Sequence, residues 1–213
     1  MQTIDVALPR ADVRWGAALG LLQAGFSMRT QSGMSARVFM REVLGFPDAY
    51  IEGVVSTVFV DDSPVDDIDA ARLVEGTRIA LSAAMPGLVG AVMRRNSPYA
   101  ALRESISYQK DCYAVGETKG GGSKAEARDP TDGEAGGGAG RSPEIRVGVK
   151  LFNSVMTDRG PEVLARGIYL RGEAAVEALR SFDVEAATTL AVASNAEAAP
   201  SSEIFLRIVE AQL

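Results

Sequence analysis

Histidine is missing altogether from the 213 residues, and that absence removes more chemistry than any other. Ser-His-Asp and Cys-His nucleophilic centres, histidine general bases and most transition-metal sites are excluded with it. Catalysis, if there is any, has to run on carboxylates, Lys, Arg, Tyr, Ser, the single Cys or a cofactor. The single cysteine, Cys112, permits neither an internal disulfide nor a cysteine cage for zinc. Long apolar runs are also lacking. The longest, Ile79 to Met93, is interrupted by Ser82, Pro86, Gly87 and Gly90 and falls short of the roughly 20 residues that a membrane-spanning helix needs. The opening "MQTIDVALPRADVRWGAALG" has no basic segment followed by an apolar core and a small-residue cleavage site, so the reading is a soluble, cytoplasmic protein. Positive charge is scarce too. The formal net charge of -6 argues against nucleic acid as a partner, because phosphate binding needs a basic face that releases counterions. The few cations present are 18 Arg against 4 Lys, which together with abundant Ala points to a GC-rich bacterial genome.

What is present is material for a core, at 46% hydrophobic residues. One stretch breaks the pattern: "KGGGSKAEARDPTDGEAGGGAGR", from Lys119 to Arg141, has no large apolar side chain. It cannot repay its ordering entropy by burial and reads as a flexible linker or exposed loop. The chain is thereby divided into 1–118, the linker 119–141, and 142–213, a small α+β unit that is either separate or packed on the first.

In the first part, "TIDVALPR" alternates as a strand does, and "WGAALGLLQAGFSM" is apolar with no clear period. Ser35 stands as N-cap before "ARVFMREVLGF", whose Val38, Phe39, Val43 and Leu44 form a helical stripe ending at Gly45. "YIEGVVSTVFV" reads as a β-branched strand, "DDSPVDD" as a turn and "TRIALSA" as another strand.

The order strand, apolar segment, helix, strand, acidic turn, and then Glu75, Gly76, Thr77, Arg78, Ile79, Ala80 and Leu81 as a closing strand, resembles the β-grasp sulfur-carrier proteins, the molybdopterin-synthase small subunit and the thiamine-pathway carrier. The resemblance covers Thr3 to Ala84 and implies a β-grasp-like, ubiquitin-like N-terminal part within an α+β protein. The carriers act through a free terminal Gly-Gly. This sequence instead runs on through "AMPGLVGA" and finishes "VEAQL", so the carrier chemistry is not transferred with the fold.

In the second part, "EIRVGVKLFN" places Ile145, Val147, Val149 and Leu151 on one face of a strand. "SVMTDRGPEVLARG" reads as a helix with Pro161 in its first turn and Gly167 at its end, followed by a short strand "IYL", a helix "GEAAVEALRSF", and strands "TTLAVAS" and "EIFLRIVEA".

Four places carry residues capable of chemistry. Gly87 and Gly90, with Arg94, Arg95 and Arg103 nearby, would let backbone N–H groups meet a small anion. The competing reading is two short helices packed under a sheet, with Leu88, Val89, Val92 and Met93 inward and Ser97 and Pro98 opening the second. Asp61, Asp62, Asp66, Asp67 and Asp69 are the one carboxylate cluster that could take Mg²⁺ or Ca²⁺, without EF-hand spacing and in a segment where Asp and Pro also serve as turn residues. Cys112 has Lys110 to lower its pKa but no base to use it. Asn153, Ser154, Asp158 and Arg159 follow a strand, where ligand groups gather in α/β folds and where caps gather as well. The balance favours a non-catalytic β-grasp-like binding or assembly protein with a protein partner or a second copy of itself. The alternative is a divalent-metal-dependent enzyme or a binder of a small anionic ligand.

Overall fold

A computed structural model describes residues 2–108, 142–182 and 203–211. The linker 119–141, Cys112 and the strand expected at 188–194 lie outside the described residues.

The chain is α+β. Strand β1 (Gln2–Leu8) leads to helix α1 (Arg14–Ala24) and strand β2 (Phe26–Gln31), which resolves the apolar segment without a clear period into a helix and a strand parted at Gly25. A helical turn α2 (Ala36–Val38) continues as a π-helix (Phe39–Val43), and helix α3 (Asp48–Gly53) precedes strands β3 (Thr57–Val60), β4 (Ser63–Pro64) and β5 (Arg78–Ser82). Helix α4 (Gly87–Met93) and a 3₁₀ helix (Ala100–Ile106) close the first part. The second supplies β6 (Glu144–Phe152), α5 (Asn153–Arg166), β7 (Ile168–Arg171), α6 (Gly172–Ser181) and β8 (Glu203–Glu210).

All the described strands join one eight-stranded sheet in the order β1-β8-β7-β2-β6-β5-β3-β4. The two parts are interleaved. β6, from beyond the linker, lies between β2 (antiparallel) and β5 (parallel), and β8 lies parallel to β1. The first strand of the sequence therefore sits at one edge of the sheet instead of beside β5. The core of both parts is one continuous cluster. Ile145, Val147, Val149 and Leu151 are all buried in β6, as their alternation predicts, and each contributes about 1.5–3 kcal/mol by leaving water.

The helices of the described residues cover one face of this sheet. At Gly160, α5 approaches α1 so closely that a Cβ would come within 2.5 Å of Leu19 Cδ2 and 2.9 Å of Leu22 Cδ1, so a side chain there would have to displace those two leucines. From the other side, the Tyr50 hydroxyl on α3 donates to Asp158 Oδ2 on α5 at 3.1 Å, with the Arg159 guanidinium 4.5 Å from the Tyr50 ring centre. Burial first, and then donation to Asp158, push the Tyr50 hydroxyl up to about 12. A raised folded-state pKa means stability that is complete below the ordinary value of 10.0 and is lost as pH climbs toward about 12. Denaturant titrations at pH 8 and pH 11 should show a loss that Tyr50→Phe abolishes; equal losses in both proteins would exclude this linkage.

Local chemistry explains where the structure departs from the sequence reading. Ser35 does cap its helix, Oγ accepting from Val38 N–H at 3.3 Å. The helix then widens, with Leu44 N–H reaching Phe39 C=O at 3.1 Å and Phe46 N–H reaching Met40 C=O at 2.9 Å. The wider turn rotates Met40 and Phe46 into the core with Phe39 and Leu44, while Val38 and Val43 are left half-buried. The expected strand from Tyr50 begins only at Thr57, because Pro47 and Asp48 start a helix before the β-branched residues are reached. Pro161 lies inside α5 instead of in its first turn.

Candidate functional site

The face of the sheet turned away from the helices carries the candidate site. Backbone register aligns Phe205, Tyr169, Ser27, Gly148 and Arg78 in a row across β8, β7, β2, β6 and β5. Arg29 opposes Arg146 on one side of the row, and Arg171 opposes Glu203 while Lys150 pairs with Ala80 on the other. Ser27 and Gly148 are too small to fill the middle, so the row dips into a recess of about 320 Å³, bounded by Tyr169 at one end and Arg78 and Phe59 at the other. Lys150, Arg171 and Asp62 also line it.

Electrostatics there are dominated by arginine. Glu203, 10% exposed, is met by Arg146 from β6, by Arg171 Nε at 3.1 Å from β7, and by Arg29 Nη2 at 3.8 Å from β2. Arg29 and Arg146 also lie over the Tyr169 ring, at 4.7 and 5.5 Å from its centre. Burial, followed by the charges of Arg171 and Arg29, lowers the Arg146 pKa from its ordinary value. Three guanidinium groups thus share one carboxylate, and the backbone pairing beneath them is thin: β2 and β7 pair at Ser27 and Tyr169 alone.

The residues singled out in the sequence occupy other ground. Asp61 and Asp62 form the β3–β4 turn at φ 48° and 66°, a conformation that Asp tolerates; Asp61 Oδ1 accepts from Arg78 N–H at 2.8 Å and Asp62 Oδ2 from Arg78 Nη2 at 2.5 Å. Asp67 Oδ1 accepts from the N–H groups of Asp69 and Ala70, and Asp69 pairs with Arg37 at 2.7 Å. Asp66 binds Arg103 Nη2 at 2.6 Å and Asn96 N–H at 2.8 Å. Among the described residues no three His, Cys, Asp or Glu side chains converge in a way that could hold a metal ion.

Arg103 is 1% exposed, with Nε on Val92 C=O at 2.8 Å and Nη1 on Ser107 Oγ at 2.7 Å as well as Asp66. Arg95 is turned inward, its side chain 7% exposed and paired with Glu52 at 3.1 Å, whereas Arg94 is exposed. Gly87 begins α4 at φ 76°, and Gly90 is buried against the Met85 carbonyl. Leu88 and Val89, expected inward, are 70% and 69% exposed, because Gly90 takes the inward position where α4 comes close to the loop that leads into it, at Met85. Ser97, expected to cap the next helix, instead accepts from Tyr99 N–H at 3.1 Å in the turn ahead of it, and Tyr99 stands at the N-cap with no side-chain cap. Asn153 ties β5 to α5, its Oδ1 accepting from Ala83 N–H at 2.9 Å and its Nδ2 donating to Ser82 Oγ at 2.8 Å.

A second recess, about 290 Å³, does bring together parts of both sequence-derived sites: Asp66, Asp67 and Asp69 with Arg95, beside Arg37 and Glu52. Hydrogen bonding from Arg37, with further help from Arg95, holds the Glu52 carboxyl below its ordinary range. The sheet-face site escaped the sequence reading because its residues come from six strands, and only the alternation of β6, which turns Arg146, Gly148 and Lys150 away from the core, hinted at it. Comparison with protein-family models, with curated proteins and with solved structures found no match.

Proposed function

We propose that this chain is a non-catalytic, cytoplasmic binding or assembly protein that engages an acidic partner, a second copy of itself included, through the sheet face opposite the described helices. The observation that carries this reading is the gathering of Arg29, Arg78, Arg146, Lys150 and Arg171 on one sheet face of a chain whose net charge is -6. These five cations exceed the carboxylates paired with them there, Asp62, Glu144 and Glu203, and a net positive face steers a partner of the other sign. The β-grasp reading belongs to the same proposal. Support for it comes from β2-β6-β5-β3-β4, a mixed sheet with the parallel pair β5/β6 at its centre, packed on the helical segment from Ala36 to Gly53 and containing the resembling strand Arg78–Ser82. In this proposal the strand beside β5 is contributed by β6, from past the linker, so the grasp is permuted relative to the carriers.

Native mass spectrometry of the full chain, purified gently, should show an added mass, either a protein chain or a small ligand, that is lost when Lys150→Glu and Arg171→Glu are combined. A bare monomer, or an added mass indifferent to these changes, would overturn the proposal. The second reading, metal-dependent chemistry, has no group of three converging carboxylates behind it among the described residues and would have to use the recess lined by Asp66, Asp67 and Asp69 beside Arg37 and Arg95. It predicts that Mg²⁺ or Ca²⁺ raises the melting temperature, since saturation at 100 times Kd stabilises a native state by about 2.7 kcal/mol, and that Asp66→Ala with Asp67→Ala abolishes the rise. No rise with either ion removes that reading.

A further inference from the structure

The recess over Ser27 and Gly148 has a chemistry narrower than a general acidic-partner face. Its floor is backbone and small side chains, because β2 and β6 present Ser27 and Gly148 where their neighbours in the row present Tyr169 and Arg78. A Cβ on Gly148 would reach 3.5 Å from Arg78 Cγ and occupy the floor. The walls are apolar and partly aromatic, from Phe59, Ala80 and Tyr169. Three cations line it, Arg78, Lys150 and Arg171, against one lining carboxylate, Asp62, which is already bound to Arg78 at 2.5 Å. The Lys150 side chain has no ion-pair partner among the described residues, and its stem lies across the backbone of Gly25. A volume of about 320 Å³ is at the small end of ligand sites, room for a ring-sized body and one charged group.

We infer that this recess binds a small aromatic anion, a ring bearing one phosphate or carboxylate, with the ring on the Ser27–Gly148 floor between Tyr169 and Phe59 and the anionic group toward Lys150 and Arg171. The apolar walls supply burial that an inorganic ion cannot use, and the cations supply an attraction that a neutral ring cannot use. Neither half alone suffices, and this sets the specificity. The inference rests on the sheet-face reading above and names its ligand.

The test is titration of the full chain with phenyl phosphate, followed by amide shifts in ¹H–¹⁵N spectra, with inorganic phosphate and phenol as controls. Phenyl phosphate should shift the Ser27, Gly148 and Lys150 amides and bind at least about tenfold more tightly than either control. Lys150→Glu, at an exposed position, should weaken it about tenfold or more. Asp62→Asn, which removes the one lining carboxylate, should tighten it, a gain that no loss of structure could produce. Shifts elsewhere, equal binding of phenol or inorganic phosphate, or indifference to both substitutions would overturn the inference. If the aromatic anion fails while Lys150→Glu with Arg171→Glu still strips a protein partner, the inference falls and the sheet-face reading stands. If the anion binds as described while the purified chain carries nothing, the inference stands alone.

Discussion

Replacing Glu203 by Ala should destabilise the fold by about 1–3 kcal/mol, the cost of removing charge-assisted hydrogen bonds from guanidinium groups that are themselves partly exposed. The reason is the position of this carboxylate. Arg29 and Arg146 come from the β2/β6 side of the sheet, Arg171 from β7, and Glu203 from β8, so its ion pairs span the one place where the sheet is joined by a single residue pair, Ser27 and Tyr169. Without it Arg29 keeps only Glu144, at 3.8 Å, and Arg146, whose pKa burial and the charges of Arg171 and Arg29 already lower, loses its carboxylate. Glu203→Gln keeps the shape but not the charge and should cost nearly as much, which separates repulsion from packing. Sulfate should restore more stability to either variant than to the parent protein, because an added anion stands in for the lost carboxylate. Denaturant unfolding with and without sulfate measures both effects; a loss below about 1 kcal/mol would place Glu203 among ordinary surface ion pairs.

The second large effect is expected at Arg103. Its guanidinium is 1% exposed and reaches Val92 C=O, Arg94 C=O, Ser107 Oγ and Asp66, joining α4, the 3₁₀ helix and the β4–β5 loop. Arg103→Ala removes all of these and leaves a void and unmatched acceptors, each costing about 1–3 kcal/mol if it stays buried. The outcome should be local release and not global collapse, because the segment from Gly87 to Tyr108 carries no sheet strand. Amides of Arg95 and Tyr108, which donate to Ser56 C=O at 2.7 Å and Pro64 C=O at 3.0 Å, should lose hydrogen-exchange protection while those of β6 keep theirs. Trypsin should cut sooner at Arg94 and Arg95. Arg103→Lys, which cannot reproduce the fork, should behave closer to Ala than to Arg. Unchanged exchange at Arg95 and Tyr108 would show that the segment is held by other means.

Elements with their own local signal were legible from the residues alone. The alternation of Ile145 to Leu151 fixed both the strand and its buried face, Ser35 capped where hydroxyl chemistry says it should, and Gly167 ended α5 at φ 95°. The absence of histidine and the single cysteine excluded whole classes of chemistry without any coordinates. Pairing was another matter. Nothing in a strand's own residues says which strand will lie beside it, and the β6/β5 and β8/β1 neighbours are separated in sequence by the linker and more. For the same reason the aspartates from Asp61 to Asp69 read as one cluster in the chain, yet β-turn geometry and Arg37, Arg78 and Arg103 draw them apart. The basic sheet face ran the other way, five cations scattered from Arg29 to Arg171 being brought together by register. Composition and short-range periodicity act through each residue's own solvation and backbone preference and are written in the sequence. Charge clusters depend on which distant strands share a sheet, and tertiary structure alone decides that.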